Sequence, residues 1–139
     1  MRKVIFACVQ NAGRSQMAAA FFRELADPTI VEVVSAGTNP AAHVHPEVAK
    51  AMREAGIDLA SAAPQRLTPE LAEGAYLLVT MGCGEECPFV PGARQEDWPL
   101  EDPKGLPVEG VRRVRDEIRS RVEQLIAREG WVHPAADAC

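Results

Sequence analysis

Apolar positions along this chain shift between two periods, and the shifts mark out its elements. Residues 3 to 8, built on Val4-Ile5-Phe6-Ala7, form a short continuous run, the pattern of a central parallel strand covered on both faces. From Ser15 the spacing turns helical. Met17, Ala20, Phe21 and Leu25 share one face, and Asp27-Pro28 closes it. Ile30 to Ser35 reads as a second, Val-rich strand that Ala36-Gly37 should break. After His43-Val44-His45-Pro46, a second helix carries Val48, Ala49, Met52 and Ala55 and stops at Gly56. Thr68-Pro69-Glu70-Leu71 has the cap and first-turn proline of a short helix that ends at Gly74. Ala75 to Met81 is a third buried strand, and Gln95 to Trp98 a weaker fourth. The last stripe, Val111, Val114, Ile118, Val122, Leu125 and Ile126, is that of an amphipathic helix, with its charges on the solvated face.

Strands that alternate with helices predict a three-layer α/β sandwich around a four-stranded parallel sheet. A single domain over 1–130 and a loosely ordered tail over 131–139 account for the whole chain. The 139 residues are 47% hydrophobic and 25% charged, an ordinary globular balance that excludes disorder as an explanation of function. A net charge of −5 argues against nucleic acid or an anionic membrane as the main partner. An anionic substrate would therefore have to be drawn in locally. No signal peptide precedes Arg2-Lys3 and no run has membrane-span length, so a cytoplasmic protein, expected as a monomer, is the reading. In that reducing compartment four cysteines point to catalysis, redox chemistry or metal binding before structural disulfides.

Chemistry concentrates in Cys8-Val9-Gln10-Asn11-Ala12-Gly13-Arg14-Ser15, which joins the first strand to the first helix. A loop that ends in a helix start aims several backbone N–H groups and the positive helix end at one spot, which suits a tetrahedral oxyanion. Gln10, Asn11, Ala12, Gly13, Arg14 and Ser15 are the candidate oxyanion cradle. Cys8, at its floor, would sit in a field that favours thiolate and makes its sulfur a nucleophile. Arg14 brings a planar fork of donors, and Ser15 a hydroxyl for the Cys8 sulfur. Asn11 and Gly13 tolerate the tight or left-handed backbone such a loop needs. A merely structural cysteine at a strand end would need neither Arg14 nor Ser15 behind it.

Ligands in parallel sheets bind beyond the carboxyl ends of the strands, where Cys8, Ser35 to Gly37 and Cys83 all fall. Cys83 and Cys87, with three residues between them in a glycine-bearing segment, fit a redox pair better than a zinc site, which would need two further ligands nearby. Two unrelated loop thiols are the plainer reading. Asp102 before Pro103 is a carboxyl on a restricted backbone, a candidate general acid, although Asp-Pro is also a common turn. His43 and His45 lack the companions of a metal site and are expected as solvent-exposed loop residues, so no metal or other cofactor is assigned. Cys139 reads as a tail thiol without a role.

These residues carry a resemblance. Cys8-x5-Arg14-Ser15, Ser35-Ala36-Gly37, Met52 with Gly56-Ile57-Asp58, Thr80-Met81-x-Cys83 and Asp102-Pro103 resemble, in order and over nearly the whole chain, the low-molecular-weight tyrosine phosphatase superfamily. Within it the chain is most like the thioredoxin-coupled arsenate reductases, because Cys83 and Cys87 lie where those enzymes keep their resolving thiols. The tyrosines that line a phosphatase cleft do not follow Asp102-Pro103, and the single tyrosine is Tyr76. Gly13 stands where many relatives have a second cysteine, and the spacing from 83 to 87 is shorter than in some thioredoxin-coupled relatives.

What the resemblance implies is arsenate, with phosphate or sulfate as analogues, bound on the loop and Arg14. Cys8 attacks arsenic while Asp102 protonates the departing oxygen. Cys83 and then Cys87 pass the oxidation to a disulfide that thioredoxin reduces, and weak phosphatase activity accompanies the reaction. Three rivals stay open. A tyrosine phosphatase would work through a phosphocysteine, a reductase coupled to a small thiol would need only Cys8, and a binding protein for arsenicals or metals would not turn over.

Overall fold

The computed structural model describes residues 1–82 and 92–133. Its elements are β1 (Arg2–Cys8), α1 (Arg14–Leu25), β2 (Val31–Gly37), α2 (Pro46–Glu54), α3 (Pro69–Ala72), β3 (Leu77–Thr80), β4 (Arg94–Asp97) and α4 (Val108–Glu129). The four strands form one sheet in the order β2-β1-β3-β4, and every neighbouring pair is parallel. β1 therefore lies inside the sheet, and side-chain alternation sends its residues to both faces. Val4, Phe6 and Cys8 join the larger core with Met17, Phe21 and Phe22 of α1, Met52 of α2 and Ile118 and Val122 of α4. Ile5 and Ala7 join a smaller cluster with Leu78, Ala72 and Ala75 on the other face. A sheet closed on both sides explains why β1 reads as a continuous apolar run.

Capping accounts for the short helix α3. Thr68 Oγ1 accepts the Leu71 N–H at 3.1 Å ahead of Pro69, the side-chain cap and first-turn proline expected of α3. The stripe predicted for α4 is buried along its whole length, from Val111 to Ile126.

The third and fourth strands are Leu77–Thr80 and Arg94–Asp97 rather than Ala75 to Met81 and Gln95 to Trp98, and two further changes affect the packing. β2 does not stop before Ala36-Gly37 but runs through them, with Gly37 paired to Cys8. The glycine is there for space, since a Cβ on Gly37 would come 2.5 Å from the Val9 carbonyl oxygen. Trp131, placed by the sequence in the loose tail, is buried in the core. Gly130 takes a left-handed φ of 76°, its N–H reaches the Ala127 carbonyl at 3.3 Å, and the Trp131 N–H reaches that of Ile126 at 2.9 Å. This is a Schellman ending, which turns the residue after the glycine back onto the helix it terminates. Trp131 packs against Phe22 with ring centroids 6.0 Å apart, and Asp27 N–H binds its carbonyl at 2.8 Å. Val132 then bridges to Ala26.

Candidate active site

The loop from Cys8 to Arg14 is held open by hydrogen bonds on its outside. A strap from Thr38 to His45 runs along it: the N–H groups of Thr38, Asn39, Ala41 and His45 reach the carbonyls of Cys8, Val9, Gln10 and Ala12 at 3.2, 2.8, 2.9 and 3.0 Å. The Asn11 carbonyl accepts the Gln16 side-chain amide at 3.0 Å, and that of Gly13 accepts the Met17 N–H at 3.0 Å. Each carbonyl from residue 8 to residue 13 is thus tied outward. In a trans peptide unit the N–H points opposite to the carbonyl, so the N–H groups of residues 9 to 14 face the interior of the loop. Such a nest of donors at the start of α1 has the geometry that suits an anion, made from backbone alone.

Cys8 lies at its floor, 2% exposed. Its Sγ accepts the Asn11 N–H at 3.2 Å and lies 2.8 Å from Ser15 Oγ, so two donors can serve a sulfur anion. Asn11 is the keystone. Its φ of 51° is left-handed, as the loop chemistry predicts, and its Nδ2 donates to Ser15 Oγ at 2.7 Å. Its Oδ1 accepts from the Gln65 N–H at 2.9 Å and Gln16 Nε2 at 3.3 Å. The hydroxyl of Ser15, filled on one side by Asn11, is thereby free to donate toward sulfur. Gly13 is not left-handed, with φ −139°. A Cβ there would sit 3.2 Å from Pro103 Cγ, and the missing side chain lets the Asp102-Pro103 loop close down on the cradle.

Arg14 starts α1 and is 8% exposed. Its Nη1 donates to the Leu100 carbonyl at 3.2 Å, and its Nη2 stands 3.7 Å from Asp102 Oδ2. Gly82, at φ +84°, leaves room for that guanidinium, because a Cβ on Gly82 would overlap Arg14 Nη1. The Lys104 N–H binds Asp102 Oδ1 at 3.0 Å in a local turn, and the Asp102 side chain remains 55% exposed. Cys8, Gly13, Arg14, Asp102, Lys104 and His45 line one pocket of about 380 Å³. A larger hollow of about 610 Å³ lies against Gln16, Ser35 and Gln65, and no cysteine is among the residues that line it.

The structure therefore brings Cys8, Gln10, Ala12, Gly13, Arg14 and Asp102 to one pocket, with Asn11 and Ser15 beneath it. Cys83, Cys87 and Cys139 lie outside the described residues. Sequence reasoning missed three contributors. His45 is not a solvent-exposed loop residue: it is half-buried, caps α2 and lines the pocket, whereas His43 is exposed. Gln65 supports Asn11 from 54 residues away through its backbone N–H, a contact without any side-chain signature. Gln16, buried beneath the loop, could have been found as a polar residue on an otherwise apolar helix face. Among the described residues no group of three His, Cys, Asp or Glu could hold a metal ion, and no helix is long and apolar enough to cross a membrane.

Residues 3–130 match the family described as low molecular weight phosphotyrosine protein phosphatase. The glutaredoxin arsenate reductase of Synechocystis is 37% identical over 131 residues, which span 92% of this chain and 98% of the relative. An arsenate reductase of Staphylococcus aureus is 33% identical over 132 residues, 91% of this chain and 98% of its own. Among solved structures, the thioredoxin-dependent arsenate reductase of Corynebacterium glutamicum superposes with a TM-score of 0.79 at 37% identity, over 92% of this chain and 61% of that one.

Proposed function

The chain belongs to the low molecular weight phosphotyrosine protein phosphatase family, and on that premise we propose that it reduces arsenate to arsenite. The observation that carries the reading is the cradle itself: a buried thiol under a ring of inward N–H groups, with Arg14 at its side and Asp102 at its mouth. Arsenate binds with three oxygens toward the loop donors and Arg14. Cys8 thiolate attacks arsenic from below, and Asp102 protonates the oxygen opposite, which leaves as water. The similarity to arsenate reductases in Synechocystis and Staphylococcus supports arsenate as the substrate.

The steps that follow belong to the cysteines beyond Met81. Cys83 thiolate attacks Cys8 Sγ, the sulfur–arsenic bond breaks with its electron pair passing to arsenic, and arsenite leaves as As(III). A Cys8–Cys83 disulfide remains. Cys87 attacks Cys83, which returns Cys8 as thiolate and moves the disulfide to the 83–87 pair, where an external dithiol reduces it. A cradle made of backbone donors binds phosphate as readily as arsenate, so slow cleavage of aryl phosphates accompanies the reaction.

Thioredoxin is the reductant in this proposal, and the physical ground is potential. Its dithiol lies near −270 mV, against roughly −200 to −230 mV for glutaredoxins, so the same protein disulfide is drawn further toward reduction. With arsenate in excess, arsenite production driven by thioredoxin, its reductase and NADPH is expected to exceed that driven by glutathione and glutaredoxin. A glutaredoxin-driven rate equal to or above it would assign this chain the coupling named for the Synechocystis relative.

A further inference from the structure

His45 is anchored to the cradle on one side and to α2 on the other. Its N–H holds the Ala12 carbonyl at 3.0 Å, and its own carbonyl accepts the N–H groups of Val48 and Ala49, each at 3.0 Å. The residue cannot shift without moving the loop or the helix. Its side chain forms no bond that caps α2, and the residue lines the pocket that holds Cys8 and Asp102. The positive end of the nine-residue α2 opens at the same place.

We propose that His45 is a specificity-determining residue, whose imidazole N–H donates to the one oxygen of a bound tetrahedral anion that the loop does not hold. With sulfur below the central atom and three oxygens on the inward N–H groups and Arg14, the fourth points away from Cys8 to the pocket mouth. Asp102, Lys104 and His45 are the residues outside the loop that line this pocket together with Gly82. In a free oxyanion the fourth oxygen is bare and accepts a hydrogen bond. In an ester it carries an organic group, and in a phosphonate a carbon replaces it. His45 thus favours the small inorganic anion over its organic derivatives, on the same wall where a phosphatase would need room for its substrate's body. The inference rests on the reading of the Cys8 loop as an oxyanion site.

Dissociation constants for inorganic phosphate and for phenylphosphonate, measured by calorimetry on wild type, His45→Ala and His45→Gln, test it. Phenylphosphonate keeps the three cradle oxygens and lacks the fourth. His45→Ala is expected to weaken phosphate about tenfold, at the lower end for a hydrogen bond to a charged group, and to leave phenylphosphonate within about twofold. His45→Gln, which keeps an N–H donor, restores phosphate to within about threefold of wild type. Equal weakening of both anions would make His45 a structural support of the loop and overturn the inference, as would unchanged phosphate binding. Wild type that binds neither anion would overturn it together with the oxyanion site. Wild type that binds phosphate, shows the His45 effect and makes no arsenite with any reductant would defeat the reductase reading alone.

Discussion

Cys8→Ser is expected to abolish arsenite production and aryl phosphate cleavage together, by about 10⁴-fold or more, the scale on which a covalent mechanism loses its nucleophile. The reason lies in the surroundings of the sulfur. Asn11 N–H and Ser15 Oγ, at 3.2 and 2.8 Å, are placed to hold a sulfur anion, and they have no base among them that could take the proton of a serine hydroxyl. The loop N–H groups are untouched by the change, since their orientation is set by the carbonyls on the outer side. Phosphate should therefore bind to the variant nearly as well as to wild type while turnover vanishes. Single-turnover arsenate reduction and phosphate calorimetry on the same preparation check both halves. Activity within tenfold of wild type would mean that the chemistry runs elsewhere.

Arg14→Lys should cost about 10²- to 10³-fold in kcat, with a smaller change in KM, the range found when one donor of a preorganised oxyanion site is removed. An ammonium is a point charge on a flexible stem and cannot reproduce the fork that reaches the Leu100 carbonyl with one nitrogen while another faces Asp102. Gly82 leaves a space shaped for the guanidinium, and lysine leaves part of it unfilled. Steady-state kinetics with arsenate, beside a thermal melt, separate the catalytic loss from any loss of fold. A drop of less than about fivefold would remove Arg14 from the transition state.

The site was legible in the sequence where its parts are local. Cys8, Asn11, Arg14 and Ser15 lie within one strand–loop–helix passage, so spacing alone brings them together, and the switch of hydrophobic period marks where the loop must be. What escaped is what depends on distant backbone. Gly37 reads as a strand breaker because glycine is one locally. Only the approach of the Val9 carbonyl, at 2.5 Å from its would-be Cβ, shows that β2 continues there and needs the space. His45 reads as an exposed loop residue, because nothing local reveals that the segment from Thr38 onward straps the cradle and brings His45 into the lining of its pocket. Gln65 acts through a main-chain N–H that any residue but proline would supply. Trp131 carried a usable sign, an aromatic directly after a glycine that ends a helix, which is where a Schellman motif puts an apolar contact. The tail's Ala and Pro content outweighed it.

In the proposed mechanism one cradle runs a reductase, with oxidation carried from Cys8 to Cys83 and then Cys87. This mechanism is tested most directly by measuring arsenite production with thioredoxin, its reductase and NADPH for wild type, Cys83→Ser and Cys87→Ser, with aryl phosphate cleavage recorded on each. The account predicts turnover of arsenate by wild type, its loss in both variants, and unchanged aryl phosphate cleavage in all three. Wild type that is idle on arsenate but cleaves the aryl phosphate briskly would contradict it and leave a phosphatase.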